Sequence, residues 1–147
     1  MALLKDFHYH TPETLHEALG ILMKSKEPLL LAGGTFVLNY LKKSPKYPAD
    51  VIGLKKIPSL RGISDSGDSV SIGAMTTIAE LAESDLIRKH FPSFFQALRH
   101  LGTTPIRNMA TIGGNVASRF FWVDLPAVLI SLGARVCPKS YAKPRSG

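Results

Sequence analysis

The apolar positions between Thr11 and Lys24 recur at helical spacing, with Leu15, Ala18, Leu19, Leu22 and Met23 on one face. They predict a helix, with Thr11 as its cap and Pro12 at the first helical position, where no amide partner is required. Pro28–Ala32 is a short continuous apolar run of the kind that forms a buried strand, and Gly33-Gly34 breaks it. Phe36–Lys43 predicts a second short helix that stops before Pro45, and Asp50–Leu54 a second strand. Helix and strand alternating at this spacing describe a small βαβ-like layer over residues 1–54.

The pattern changes from Lys55 onward. Leu60–Ser64 and Ser69–Gly73 are strand-like and flank DSGD, a turn composition, so they predict a hairpin. Thr77-Ile78-Ala79-Glu80 has capping-box form and opens a helix that carries Leu81 and Ala82. Phe94, Phe95, Leu98 and Leu101 place a helix over Phe91–Leu101, ended by Gly102. Pro105–Thr111 is read as a connector, Asp124–Leu132 as a helix with an acidic first turn, and Ala134–Cys137 as a strand. Residues 55–137 form the second, α+β unit on this reading, and residues 138–147, without periodicity, a basic tail.

Composition narrows the class. A chain of 147 residues that is 45% hydrophobic and 20% charged supports one ordinary core rather than two large independent domains. No apolar run reaches the eighteen residues of a membrane span. His8, His10, Glu13 and Glu17 stand where an export signal needs apolar residues, so a cytoplasmic protein is expected. A single cysteine, Cys137, excludes an internal disulfide framework and a cysteine-built metal site. The net charge of +7 suggests nucleic acid, but Arg135, Lys139, Lys143 and Arg145 all fall in the last thirteen residues with no acid among them. The other cluster, Lys42, Lys43, Lys46, Lys55, Lys56 and Arg61, reads as a phosphate-facing surface or as a solvated loop face, and no aromatic platform accompanies it.

The candidate chemistry lies in two glycine pairs, in LLLAGGT (Leu29–Thr35) and ATIGGN (Ala110–Asn115). Glycine permits close backbone approach, and successive amides form an anion-binding concavity. Thr35 and Thr111 add hydroxyl donors, and each bond to a charged oxygen contributes about 1.5–3 kcal/mol. Taken singly, either pair is a weak signal, since a Gly-Gly after a strand is more often a tight turn than a ligand site. The G-x-G-x-x-G fingerprint, the G-x-x-x-x-G-K-S/T phosphate loop and the G-x-S-x-G nucleophile elbow are all absent. Of the histidines, only His8 and His10 are close in sequence, without carboxylates at ligand spacing, so no metal site is read. Arg107 reads as a phosphate or partner contact, or as a surface ion pair. Asp124 reads as a helix cap, as a cofactor contact, or as both.

Three stretches, LAGGTFVLNYLK, SIGAMTTIAEL and IRNMATIGGNVA, follow the opening F-x-Y-H-x-P-x-T-x-x-E-A. In content, order and separation they resemble the FAD-binding (medium) subunit of the molybdenum hydroxylases, the family of xanthine dehydrogenase and aerobic carbon monoxide dehydrogenase. The resemblance runs over residues 4–137. It implies an α+β, two-subdomain FAD-binding fold of the vanillyl-alcohol oxidase type, with FAD between the parts. It also implies FAD contacts from Leu31, Ala32, Gly33, Gly34, Thr35, Phe36 and Val37 on one side. Thr111, Gly113, Gly114 and Asn115 supply the other side, with Asp124, nine residues past Asn115, near the cofactor. The partners implied are an iron–sulfur subunit and a molybdopterin-containing large subunit, with NAD or another acceptor receiving the electrons.

Two departures stand out. SRFFWV replaces the family's small Ser-Pro-rich stretch, so Phe120, Phe121 and Trp122 are read as core, as flavin shield or as a partner face. Family members also continue beyond the strand corresponding to Gly133–Val136, so the C-terminal part of the fold is expected to be missing and the chain truncated. Two alternatives stay open at this point: a non-catalytic remnant with weak or no FAD binding, and, on charge alone, a basic nucleic-acid-binding domain.

Overall fold

A computed structural model of the chain describes residues 6–43, 47–118 and 124–140. Three parallel strands form the first sheet: β1 (His8–His10), β2 (Pro28–Leu31) and β3 (Asp50–Gly53), in the order β1-β3-β2. Tyr9 and Leu29 both align with Val51, and Leu31 aligns with Gly53. Strand β1 is absent from the sequence reading. Its HYH has no apolar run, and it becomes a strand because β3, forty residues away, offers an edge on which His10 Nε2 meets Asp50 Oδ1 at 2.7 Å.

Helix α1 (Leu15–Lys24) connects β1 to β2 and starts later than Thr11. Its cap is Thr14, whose hydroxyl accepts from the Glu17 amide at 3.2 Å, while Glu17 Oε2 accepts from the Glu13 amide at 3.0 Å. Pro12 is buried ahead of that start rather than being the first helical residue. The helix stops where Ser25 turns extended and returns both its amide and its hydroxyl to the Ile21 carbonyl. Ala18 packs on Ile52 and Ile57 with Leu15, Ile21, Leu22, Leu54 and Leu60 around them. Helix α2 (Val37–Lys43) then leads to β3.

The predicted hairpin forms as β4 (Ile63–Asp65) and β5 (Val70–Ile72), antiparallel, its turn closed by the Gly67 amide donating to Asp65 Oδ1 at 2.8 Å. Leu60 belongs not to the strand but to a 3₁₀ turn at Pro58–Leu60. Helix α3 (Ile78–Glu83) carries the expected capping box: the Thr77 hydroxyl accepts from the Glu80 amide and Glu80 Oε2 accepts from the Thr77 amide. Burial raises the Glu80 pKa, but the Thr77 backbone, the Arg61 guanidinium and the Thr77 hydroxyl together bring it below the ordinary value.

Helix α4 (Asp85–His90), not foreseen, is capped by Ser84, and α5 (Pro92–His100) follows as expected. The segment read as a connector is instead helix α6 (Thr104–Met109), because Pro105 suits a first turn and the carbonyls of Thr103 and Ile106 take the Arg107 and Ala110 amides. Helices α7 (Ile112–Ala117) and α8 (Leu125–Ser131) complete the order. The second core gathers Ile78, Leu81, Ile87, Phe94, Leu98, Ala110, Ile112 and Leu125 from α3, α4, α5, α7, α8 and the approach to α7. A fully buried side chain of this kind contributes about 1.5–3 kcal/mol. Ala134–Cys137 is not a strand: its residues are exposed and no strand among the described residues takes its backbone.

Candidate functional site

Strand β2 delivers the first glycine segment. The Leu31 carbonyl accepts from Leu54 at 3.0 Å, holding the strand end against β3. The chain then turns through Gly34, whose φ of +73° suits glycine, and enters α2 with Tyr40 bonded to the Phe36 carbonyl at 3.1 Å. The Phe36 and Tyr40 rings stack at 6.4 Å. Among the described residues, the amides of Gly33, Gly34 and Thr35 and the Thr35 hydroxyl meet no protein acceptor. Backbone donors left in this state are satisfied by solvent or by a ligand.

The second segment is not a loop. TIGGN is the start of α7, with Thr111 as cap: its hydroxyl accepts from the Gly114 amide at 3.1 Å and its carbonyl from Asn115 at 2.9 Å. Ile112 and Gly113 donate to the Thr76 and Ala74 carbonyls, and Ile78 donates to Ala110, so residues 110–113 are zipped to the entry of α3. Gly113 has no room for a side chain, since a Cβ there would stand 2.7 Å from the Ala74 Cβ and carbonyl oxygen. Thr111 is 3% exposed, and its hydroxyl keeps a proton to donate after serving as the cap acceptor. Asn115 Oδ1 is buried and has no hydrogen-bond partner among the described residues.

The structure brings the two segments together. A Cβ on Gly33 would run into the Met109 carbonyl oxygen and lie 3.0 Å from the Ala110 Cα. A Cβ on Gly114 would sit 3.5 Å from the Ala32 Cβ. The first glycine of each pair therefore serves close packing. Met109 and Ala110, which seat Gly33, escaped the sequence reading, as a backbone contact between distant segments leaves no local signal.

The other candidates divide. Asp124 is exposed at the head of α8, which packs on α7, and its side chain makes no cap bond. Helical dihedrals at Asp124 replace the extended geometry that a side-chain cap requires. Phe120, Phe121 and Trp122 lie outside the described residues. Arg107 forms no ion pair among the described residues. It donates to the Leu101 and Gly102 carbonyls at 3.3 and 2.9 Å and to the Thr104 hydroxyl at 3.0 Å. Arg61 is paired with Glu80 at 2.9 Å, which removes it from the basic cluster as a free cation. The His10 hydrogen bond lowers the Asp50 pKa, the largest influence on that carboxyl. No group of three potential metal ligands and no helix long and apolar enough to cross a membrane occurs among the described residues.

Two glycine segments meet backbone to backbone, and among the described residues the amides of one and a buried carboxamide oxygen of the other have no partner. Fold and site together define a cofactor-binding module of mixed α and β structure. Residues 5–146 match the family described as the FAD binding domain in molybdopterin dehydrogenase, and the chain belongs to that family. It is 32% identical over 93% of its length to the nicotinate dehydrogenase FAD-subunit of Eubacterium barkeri, and 35% over 87% to the carbon monoxide dehydrogenase medium chain of Hydrogenophaga pseudoflava. The match covers 47% and 45% of those relatives, so the chain spans under half their length. The crystal structure of quinoline 2-oxidoreductase from Pseudomonas putida 86 superposes with a TM-score of 0.85 at 27% identity, over 90% of this chain and 46% of that one. The family's cofactor is FAD, and the residues present fit a phosphate-bearing, hydroxyl-bearing ligand.

Proposed function

We propose that this chain holds FAD across the two glycine segments and serves as the flavin module of a molybdenum-hydroxylase-type complex. The observation that carries the reading is the contact of Gly33 with Met109 and Ala110 beside the unpaired Gly33–Thr35 amides. Those amides and the Thr35 hydroxyl are the phosphate donors on this reading, flanked by Leu31, Ala32, Phe36 and Val37. The Thr111 hydroxyl adds a donor, Asn115 Oδ1 accepts an O–H or N–H of the cofactor, Gly113 and Gly114 keep the wall close, and Asp124 borders it. FAD supplies the redox chemistry when bound, and the protein's task is to bind and orient it.

The relatives named as medium chain and FAD-subunit support a place in a larger assembly. There the chain works beside an iron–sulfur subunit and a molybdopterin-containing large subunit, with NAD or another acceptor as the electron outlet. The division into residues 1–54, 55–137 and a basic tail belongs to the same proposal. Flavin absorbance of the purified chain and an FAD titration test it. Saturable binding that Gly34→Val and Gly114→Val abolish is expected, and Thr35→Val, a milder change, is expected to weaken affinity about tenfold. A flavin-free protein with no saturable FAD binding defeats the reading.

A further inference from the structure

We propose that Arg107 is a positioning residue for the cofactor site: it locks α6 to the end of α5 and thereby fixes the Met109–Ala110 backbone on which Gly33 is seated. The inference rests on the FAD reading for its functional meaning, but the contact itself is structural. Helix α6 has six residues and no side-chain cap, so little within it holds it in place. Arg107 supplies what is missing. One guanidinium nitrogen spans the Leu101 and Gly102 carbonyls at 3.3 and 2.9 Å, and the other reaches the Thr104 hydroxyl at 3.0 Å. The carbonyls at that helix end carry partial negative charge, which a fixed cation complements. The chain reverses there through Gly102, at φ +57°, with the Ile106 side chain packed on the turn.

The end of α6 is the seat. Its last residue, Met109, presents the carbonyl that meets Gly33. The following residue, Ala110, donates to the Ile106 carbonyl at 2.7 Å and accepts from Ile78 at 2.9 Å. Helix α6 is thus a strut between the end of α5 and the first glycine segment. A lysine cannot replace the planar fork, since a point charge does not span two carbonyls and a hydroxyl in one geometry.

A double-mutant cycle of Arg107→Ala with Gly33→Ala tests the proposal, read both in the unfolding equilibrium of the chain and in its FAD dissociation constant. If Arg107 acts through the seat, its loss matters much less once Gly33→Ala has broken that seat. The combined effect then falls short of the product of the single effects by about fivefold or more. Arg99→Ala, which removes a neighbouring cation that lies over Phe95 instead, multiplies simply with Gly33→Ala. Arg107→Lys behaves like Arg107→Ala, and takes its place in the cycle if the alanine variant does not fold. Simple multiplication in the unfolding equilibrium, or full function in Arg107→Lys, overturns the proposal. A wild-type chain that binds no FAD defeats the functional reading alone, because the unfolding arm still decides the role of Arg107.

Discussion

Glycine to alanine at position 33 and at position 20 is one chemical change with opposite expected signs. At Gly33 the new methyl runs into the Met109 carbonyl oxygen, with the Met109 carbonyl carbon at 2.9 Å and the Ala110 Cα at 3.0 Å. All three are backbone atoms, tied by the Ala110 bonds to Ile106 and Ile78, so the segment cannot yield by a rotamer change. Overpacking of this kind costs about 1–3 kcal/mol. In a chain of this size that lowers the melting temperature by roughly 4–12 °C. Gly20 lies inside α1 with nothing within 4 Å of a Cβ, so alanine there gains helix propensity and reduces the freedom of the unfolded chain. Its expected effect is a gain of about 0.5–1 kcal/mol, or roughly 2–4 °C. Thermal melts followed by circular dichroism measure both, and an FAD titration below the transition adds the functional readout. Gly33→Ala is expected to weaken FAD binding, whereas Gly20→Ala leaves it unchanged. A Gly33→Ala protein that melts and binds FAD like the wild type would refute the contact between the glycine segments.

Further expectations concern the cap, the core and pH. Thr111→Ala removes the hydroxyl that accepts from Gly114 and lowers stability by about 1 kcal/mol, while Thr111→Ser keeps the cap; paired denaturation curves distinguish them. Leu98→Ala, at a position with 0% exposure, costs about 2–5 kcal/mol in the same assay, and a loss below 1 kcal/mol contradicts its place in the core. The His10 hydrogen bond holds the Asp50 pKa below its ordinary value of about 3.8 in the folded chain. That contribution is present above the unfolded value and disappears as pH falls through the lowered folded one, so Asp50→Asn flattens the acid limb of a plot of melting temperature against pH. An unchanged acid limb counts against the His10–Asp50 contact.

Much of the local structure is legible in the sequence because its causes are local. The Thr77–Glu80 capping box needs four residues, the β4–β5 hairpin turns on its own Asp65 and Gly67, and α5 shows its apolar stripe. Errors fall where long-range contacts overrule local pattern. Thr14 rather than Thr11 caps α1, α4 was not foreseen, and the connector before Thr111 proved to be α6. HYH becomes a strand through β3, while Ala134–Cys137, the better strand former, finds no strand to pair with among the described residues.

The site divides along the same line. The residue types were readable: two glycine pairs, their threonines and Asn115 are the components of the proposed cofactor wall, and their order carried the family resemblance. What each residue does was decided only in three dimensions. Gly33 and Gly113 are small because backbone and Ala74 fill the space a side chain would need, and Arg107 grips carbonyls rather than an anion. The sequence by itself determined the α3 capping box, the β4–β5 turn, the stripe of α5 and which residues are candidates for the cofactor, since spacing, capping and glycine content act within a few residues. Tertiary structure alone decided that the two glycine segments touch, because the contact joining them is between backbones, and a backbone carbonyl leaves no mark in the identity of the residue that carries it.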